Sequence, residues 1–224
     1  QVPYFSEHFR VITYDPRGNG KSDRPEDPKG YSLDAIIGDV IAVMDATQTR
    51  SATLVGFSFG SAMAFTAASE HPDRVDAVIS TGAWTPVVPP YPERGAWWEA
   101  DNIADPEGWQ KYSRHHWKTN YPDFLRFFFD KVHSEPHSTK QQEDAVKWGL
   151  DGDGAMLAMT QDGRADPDRI TEKTYRNVNC PCLVLVGDGD SITPPQSSYR
   201  VAELTGGELV VREGGGHAVH ARYP

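Results

Sequence analysis

Five short apolar runs punctuate the chain: Arg10–Tyr14 (RVITY), Ala52–Phe57 (ATLVGF), Val75–Thr81 (VDAVIST), Cys182–Val186 (CLVLV) and Glu208–Val211 (ELVV). None alternates strictly between apolar and polar positions, a pattern that predicts strands buried on both faces of a parallel sheet. Between the runs, apolar positions recur at helical spacing. Ser32 stands where an N-cap is expected, ahead of a helix carrying Ile36, Ile37, Val40, Ile41 and Met44. The Ala-rich stretch Ser61–Ser69 predicts a helix able to lie close on a sheet, and Gln196–Leu204 predicts another. Strands and helices in alternation predict an α/β fold with a doubly wound sheet.

The rhythm breaks from Trp84 to about Val178. This stretch opens with Pro86, Pro89, Pro90 and Pro92, then becomes helical and aromatic. Residues 84–148 hold 13 of the 24 aromatic residues and all six tryptophans. That concentration predicts an inserted helical unit with its own core. The expected division is therefore a core of residues 1–83 and 179–224 and an insertion of residues 84–178. Phe127, Phe128 and Phe129 are expected inside that unit or along a pocket, since consecutive helical positions face different sides.

The 224 residues fit one domain with a large insertion. A formal charge of −10 argues against nucleic acid or an anionic membrane as partner, because both are polyanions. The longest apolar run is about five residues, against roughly 20 for a membrane span. Cys180 and Cys182 lie two apart on a strand, a poor disulfide geometry and neither redox nor zinc spacing. They are expected to be free, buried thiols, which points to a cytoplasmic compartment. The chain opens on Gln1 and its mean hydropathy is −0.57. Both facts suggest a piece of a longer protein.

The chemistry concentrates in Gly56-Phe57-Ser58-Phe59-Gly60. A bare GxSxG pentapeptide is common, but this one follows a predicted strand and precedes a predicted helix. In that setting Ser58 occupies a strained turn as nucleophile. Gly56 and Gly60 spare it collisions with neighbouring backbone, and the Phe59 N–H faces a developing oxyanion at a helix N-terminus. Phe57 and Trp84 are expected to line the substrate pocket. A serine nucleophile needs a base. His217, after the glycines at 214–216 and the last strand, projects over the strand ends; His220 is its nearest rival. His71 reads as a helix C-cap, and His115, His116, His133 and His137 are expected at solvent or an interface. The base needs a carboxylate to orient it. Asp188 and Asp190 compete in the turn after the fourth run.

The arrangement resembles the serine hydrolases of the α/β-hydrolase superfamily. Tyr14-Asp15-Pro16-Arg17-Gly18-Asn19-Gly20-Lys21-Ser22 is similar to that family's D-x-R-G-x-G-x-S turn, and His71-Pro72-Asp73-Arg74-Val75 to the segment after its nucleophile helix. The segment from Cys180 to Asp190 resembles the one that carries the acid at its last aspartate, and Gly216-His217 the one that carries the base. The resemblance implies a triad in the chain order Ser58, Asp190, His217 and a mainly parallel sheet with flanking helices. It places a lid at residues 84–178. It also implies strands before Arg10, the third of them followed by a loop that gives the second oxyanion donor. Neither is visible here, so a gap is expected beside the Arg10 strand, together with a missing closing helix after His217.

Other chemistries fit less well. Gly20-Lys21-Ser22 lacks the earlier glycine of a phosphate loop, since Asp15 stands there. Asp151-Gly152-Asp153-Gly154 departs from calcium-loop spacing. His217 and His220 have no third ligand spaced to help them hold a metal, and no cofactor is expected. A serine at 58 argues against the family's dehalogenases and epoxide hydrolases, which use an aspartate. The expected reaction is hydrolysis of a small ester-like substrate through an acyl-enzyme. Carbon–carbon bond hydrolase, lactonase and cofactor-free haloperoxidase or perhydrolase chemistry share the triad. A non-catalytic ligand-binding module on the same fold is the alternative of a different kind.

Overall fold

The computed structural model of the protein describes residues 1–166 and 168–223. Four parallel strands form its sheet in the order β1 (Ala52–Phe57), β2 (Val75–Thr81), β3 (Cys182–Gly187), β4 (Glu208–Arg212). Helices α1 (Leu33–Ala46), α2 (Phe59–Glu70), α7 (Glu172–Arg176) and α8 (Pro195–Thr205) belong to this layer. Between β2 and β3 lie α3 (Arg114–Thr119), α4 (Tyr121–Val132), α5 (Thr139–Gly149) and α6 (Gly154–Gly163). A last turn of helix, α9 (Val219–Arg222), follows β4.

Local chemistry sets these boundaries. Ser32 Oγ accepts the Ala35 N–H at 3.3 Å and caps α1, which buries Leu33, Ile37 and Met44. The small side chains of α2 bury Ser61 through Ala68 and let the helix lie against β1 and β2. Gly206 ends α8 in the left-handed conformation, φ +67°. Leu54 pairs with Val78, Ser80 with Val184, and Val184 with Leu209. Val78 and Val184 join Phe65, Tyr175 and Val201 in the main core.

Three expectations need correction. Arg10–Tyr14 is extended but joins no ladder, and Phe9 is 66% exposed. A strand exists only where a neighbour supplies its hydrogen bonds. This segment is held instead by Arg10 Nη2 on the Thr47 carbonyl (2.7 Å), and it does not close onto β1. Burial on both faces fails on the outer strands. β1 alternates, with Val55 70% exposed, and β4 is exposed along its whole length. Among the described residues no long helix covers those positions. Finally, Cys180 and Cys182 are free but only partly buried, packed at the margin of the main core. Burial raises both thiols, Cys182 to about 11, so both are protonated at neutral pH.

The Asp15-to-Ser22 turn is a self-contained knot. The Asp15 carboxylate accepts the Lys21 N–H at 2.9 Å, and Ser22 Oγ donates to the Asp15 carbonyl at 2.6 Å. Arg17 forks onto both oxygens of Asp39 at 2.6 Å, tying the turn to α1.

The residues between β2 and β3 have their own aromatic core of Tyr112, Trp117, Phe124, Leu125 and Ala158, ringed by Trp98, Trp109, Phe128 and Phe129. No helix among the described residues is long and apolar enough to cross a membrane. The core closes tightly at Gly154, where an added Cβ would lie 1.7 Å from the Trp117 carbonyl oxygen. Gly38, exposed in the middle of α1, has open space around it. Gly154→Ala should therefore cost at least about 2 kcal/mol in urea unfolding. Gly38→Ala should add about 0.5–1 kcal/mol by raising helix propensity. Equal effects of the two substitutions would refute this account of the packing.

Candidate active site

Ser58 sits between the end of β1 and the start of α2 with φ +53° and ψ −120°, a conformation that costs a non-glycine residue energy. The turn is fixed by the Ser58 N–H on the Thr81 carbonyl (2.9 Å) and by the Trp84 N–H on the Ser58 carbonyl (3.3 Å). Gly56 is required here, because a Cβ would lie 2.5 Å from the Gly60 oxygen and 2.6 Å from Ser61 Cα. Gly60 is not required in that way. A Cβ there meets nothing within 4 Å, so the steric reason expected for this glycine is absent. The Phe59 N–H heads α2 and has no acceptor among the described residues.

Asp190 lies in the turn after β3 and His217 in the turn after β4; each is 2% exposed. His217 Nδ1 faces Asp190 Oδ2 at 2.7 Å. The other carboxylate oxygen of Asp190 accepts the N–H groups of Ile192 (2.8 Å) and Thr193 (2.9 Å). Asp188 is exposed, and its carboxylate accepts the Gly214 N–H at 2.7 Å, so it shapes the turn before His217. Of the two aspartates, Asp190 is the one that the histidine meets.

The structure brings Ser58 and this pair to the same end of the sheet. The residue after Thr81, Gly82 (φ +53°), abuts His217. A Cβ on Gly82 would lie 2.7 Å from the His217 carbonyl oxygen and 3.1 Å from Nδ1. The Phe57 ring stands 4.8 Å from the His217 ring and 4.6 Å from that of His220. The Phe59 ring lies 5.5 Å from Trp84. Ser58 Oγ itself makes no hydrogen bond among the described residues.

Sequence reasoning missed several supports. Gly82 and Gly187 are needed where backbones meet; a Cβ on Gly187 would lie 2.1 Å from the Gly215 oxygen. Glu135, 6% exposed, accepts the Gly216 N–H on Oε1 at 2.7 Å. Glycines directly after strands were a readable signal for the first two. Glu135 carried none. The insertion also holds the acid's turn: Tyr91 Oη donates to the Asp190 carbonyl (2.8 Å), Arg94 to the Ile192 carbonyl (2.8 Å), and Ser191 Oγ to the Lys131 carbonyl (3.0 Å). A cavity of about 410 Å³ behind this turn is lined by Tyr91, Trp109, Lys131 and Asp190, and includes neither Ser58 nor His217.

Of the two settings expected for His116 and His133, solvent or an interface, the first does not hold; they are 7% and 6% exposed. His116 Nε2 meets Asp123 at 2.9 Å, and that carboxyl is held low by Lys111 and His116 against the opposing effect of burial. His220, the rival base, turns Nδ1 to Thr81 Oγ1 at 3.0 Å.

Residues 1–222 match the family described as the alpha/beta hydrolase fold. The chain belongs to that family. It is 30% identical over 189 residues to the AB hydrolase superfamily protein YisY of Bacillus subtilis, covering 83% of this chain and 66% of that one. Over 79 residues it is 39% identical to 3-oxoadipate enol-lactonase 2 of Acinetobacter baylyi, covering 35% of this chain and 29% of the relative. Among solved structures, an esterase from Exiguobacterium antarcticum superposes with a TM-score of 0.77 at 22% identity, over 99% of this chain and 79% of the other. The chain thus spans only part of the relatives it matches.

Burial, then the nearby His217 and His133, push His220 down to about 4. Burial also lowers His133, with Glu135 opposing. A histidine lowered in the folded state binds its proton preferentially in the unfolded chain, so stability present above pH 6.5 is lost as pH falls toward 4. Between pH 7 and pH 5 the His220 contribution should fall by on the order of 1–2 kcal/mol. Urea titrations should show the wild-type protein losing that much more stability than His220→Asn. Parallel losses in both proteins would contradict the assignment.

Proposed function

We propose that this α/β-hydrolase chain carries the catalytic machinery of a serine hydrolase acting on a small ester-like substrate. The reading rests on one observation: a buried His217–Asp190 bond stands at the strand ends beside a turn that holds Ser58 at positive φ. In this reading His217 takes the Ser58 proton as Oγ attacks the carbonyl carbon. Asp190 keeps the His217 proton on Nδ1 and stabilises the imidazolium. The Phe59 N–H, without an acceptor, receives the oxyanion. His217 then protonates the leaving group, and water repeats the sequence on the acyl-enzyme. Residues 84–178 serve as the lid, with Trp84 and Phe57 on the substrate side. The reaction needs no cofactor, and free thiols fit a cytoplasmic setting.

The same triad would serve lactone or carbon–carbon bond cleavage, so the triad alone does not select among these. A non-catalytic ligand-binding module is the second reading. It draws on the missing hydrogen bond between Ser58 Oγ and His217.

A fluorophosphonate probe should label Ser58, and Ser58→Ala should abolish labelling and turnover of para-nitrophenyl esters. Asp190→Asn should lower kcat by about 10³–10⁴-fold, because it disturbs the histidine tautomer while keeping the shape. Asp188→Asn should leave kcat within a few-fold. Absence of labelling on the folded protein would favour the binding module; equal losses from the two aspartates would undo the acid's assignment.

A further inference from the structure

The nucleophile turn has a positively charged neighbour that the proposed triad chemistry does not use. Arg164 caps the C-terminal end of α6. Its guanidinium carbon lies 4.3 Å from the centre of the Phe59 ring, the side chain next to Ser58. Nε donates to Gln161 Oε1 at 3.1 Å, and Nη2 donates to the same oxygen. Burial holds this guanidinium below its ordinary value, and nearby Arg94 pushes the same way, while Tyr112 opposes. Arg94 sits 5.3 Å over the Tyr112 ring and donates to the Ile192 carbonyl.

Neither arginine meets a carboxylate among the described residues. The contrast with Arg114 is direct. Arg114 draws both nearby acids, Glu99 at 2.8 Å and Asp162 at 2.9 Å, although Asp162 is only two residues from Arg164. Two partly buried guanidinium groups without a counter-charge are costly to the folded protein. Gln161 supplies an acceptor but no charge, which leaves three of the five Arg164 N–H groups unassigned. An anion arriving from solution would answer both deficits, and a carboxylate fits the planar fork of a guanidinium in two parallel bonds. The chain as a whole carries −10, so a small anion could be favoured only by local positive charge of this kind.

We propose that Arg164 binds a carboxylate carried by the substrate, at the side of the nucleophile turn where Phe59 meets α6. This deepens the serine-hydrolase reading and rests on it. The substrate class becomes an ester or other acyl compound bearing a second, anionic carboxylate away from the cleaved bond. Arg164 makes no bond to the reacting atoms and acts on specificity alone.

The test compares two esters of equal length, the mono-para-nitrophenyl ester of pimelic acid and para-nitrophenyl heptanoate, which differ in the terminal carboxylate. The wild-type protein should favour the pimelate half-ester in kcat/KM. Arg164→Met, which keeps an apolar contact with Phe59, should raise KM for the half-ester about 10–100-fold. Its effect on heptanoate should be at least tenfold smaller. Arg164→Lys should recover part of the loss. A merely structural role would move both esters together, and that outcome overturns the proposal, as does a wild-type protein indifferent to the carboxylate. Calorimetric titration of pimelate into wild-type protein, Ser58→Ala and Arg164→Met reads the anion site without turnover. Binding that survives Ser58→Ala and fails in Arg164→Met supports the proposal even if neither ester is cleaved, a result that would defeat only the serine-hydrolase reading. No binding to any of the three overturns the anion site whatever the ester kinetics.

Discussion

Everything at this end of the sheet depends on keeping the Asp190 carboxylate where water does not reach it. A carboxylate buried in this way is tolerable only if its oxygens are taken up. Here two backbone N–H groups hold one oxygen and the His217 imidazole holds the other. The arrangement has a directional consequence. Because Oδ1 is taken up by Ile192 and Thr193, Oδ2 is left for the ring, which presents Nδ1 to it. Orientation of the His217 ring thus follows from how the Asp190 carboxylate is held by protein rather than from any contact with Ser58.

The helical insertion is what supplies that dry environment. Val132, Ile192 and Ala218 form a small apolar cluster with Trp109, Phe128 and Phe129. It joins α4 to the turn of the acid and to the turn of the base at once. Polar ties from Tyr91, Arg94 and Lys131 hold the first turn, and Glu135 holds the second. One set of residues between β2 and β3 therefore holds two loops that belong to the sheet.

The sequence exposed the parts of this fold that are written in local rules. The strand before Ser58, the Ser32 cap and the turns carrying Asp190 and His217 all sit where short-range patterns put them. Gly56 was readable because a strand-to-helix turn leaves no room for a side chain. What escaped were long-range facts. Arg10–Tyr14 reads as a strand, but hydrogen-bond partners are not a property of the segment itself. Val55 and the β4 residues read as buried because they are apolar, and burial depends on what covers them. Glu135 lies 81 residues from the glycine whose N–H it accepts, and no spacing rule joins them. Gly60 shows the opposite error, a motif position given a steric role that the surrounding space does not demand.

The confinement of all six tryptophans to residues 84–148 has an optical consequence. Residues 1–83 and 149–224, which hold the sheet, its helices and the Ser58, Asp190 and His217 segments, contain no indole. Intrinsic fluorescence of this protein consequently reports mainly on the helical unit between β2 and β3, with Trp84 the one indole packed against the main core. Trp117 is nearly sealed from solvent and Trp148 stands open to it, so quenchers and emission wavelength distinguish the inside of that unit from its surface. Far-ultraviolet circular dichroism, by contrast, weighs both halves of the molecule. Divergence of the two signals on heating would show the insertion loosening as a unit of its own, and coincidence would show that the ties to the acid and base turns make the two layers melt as one.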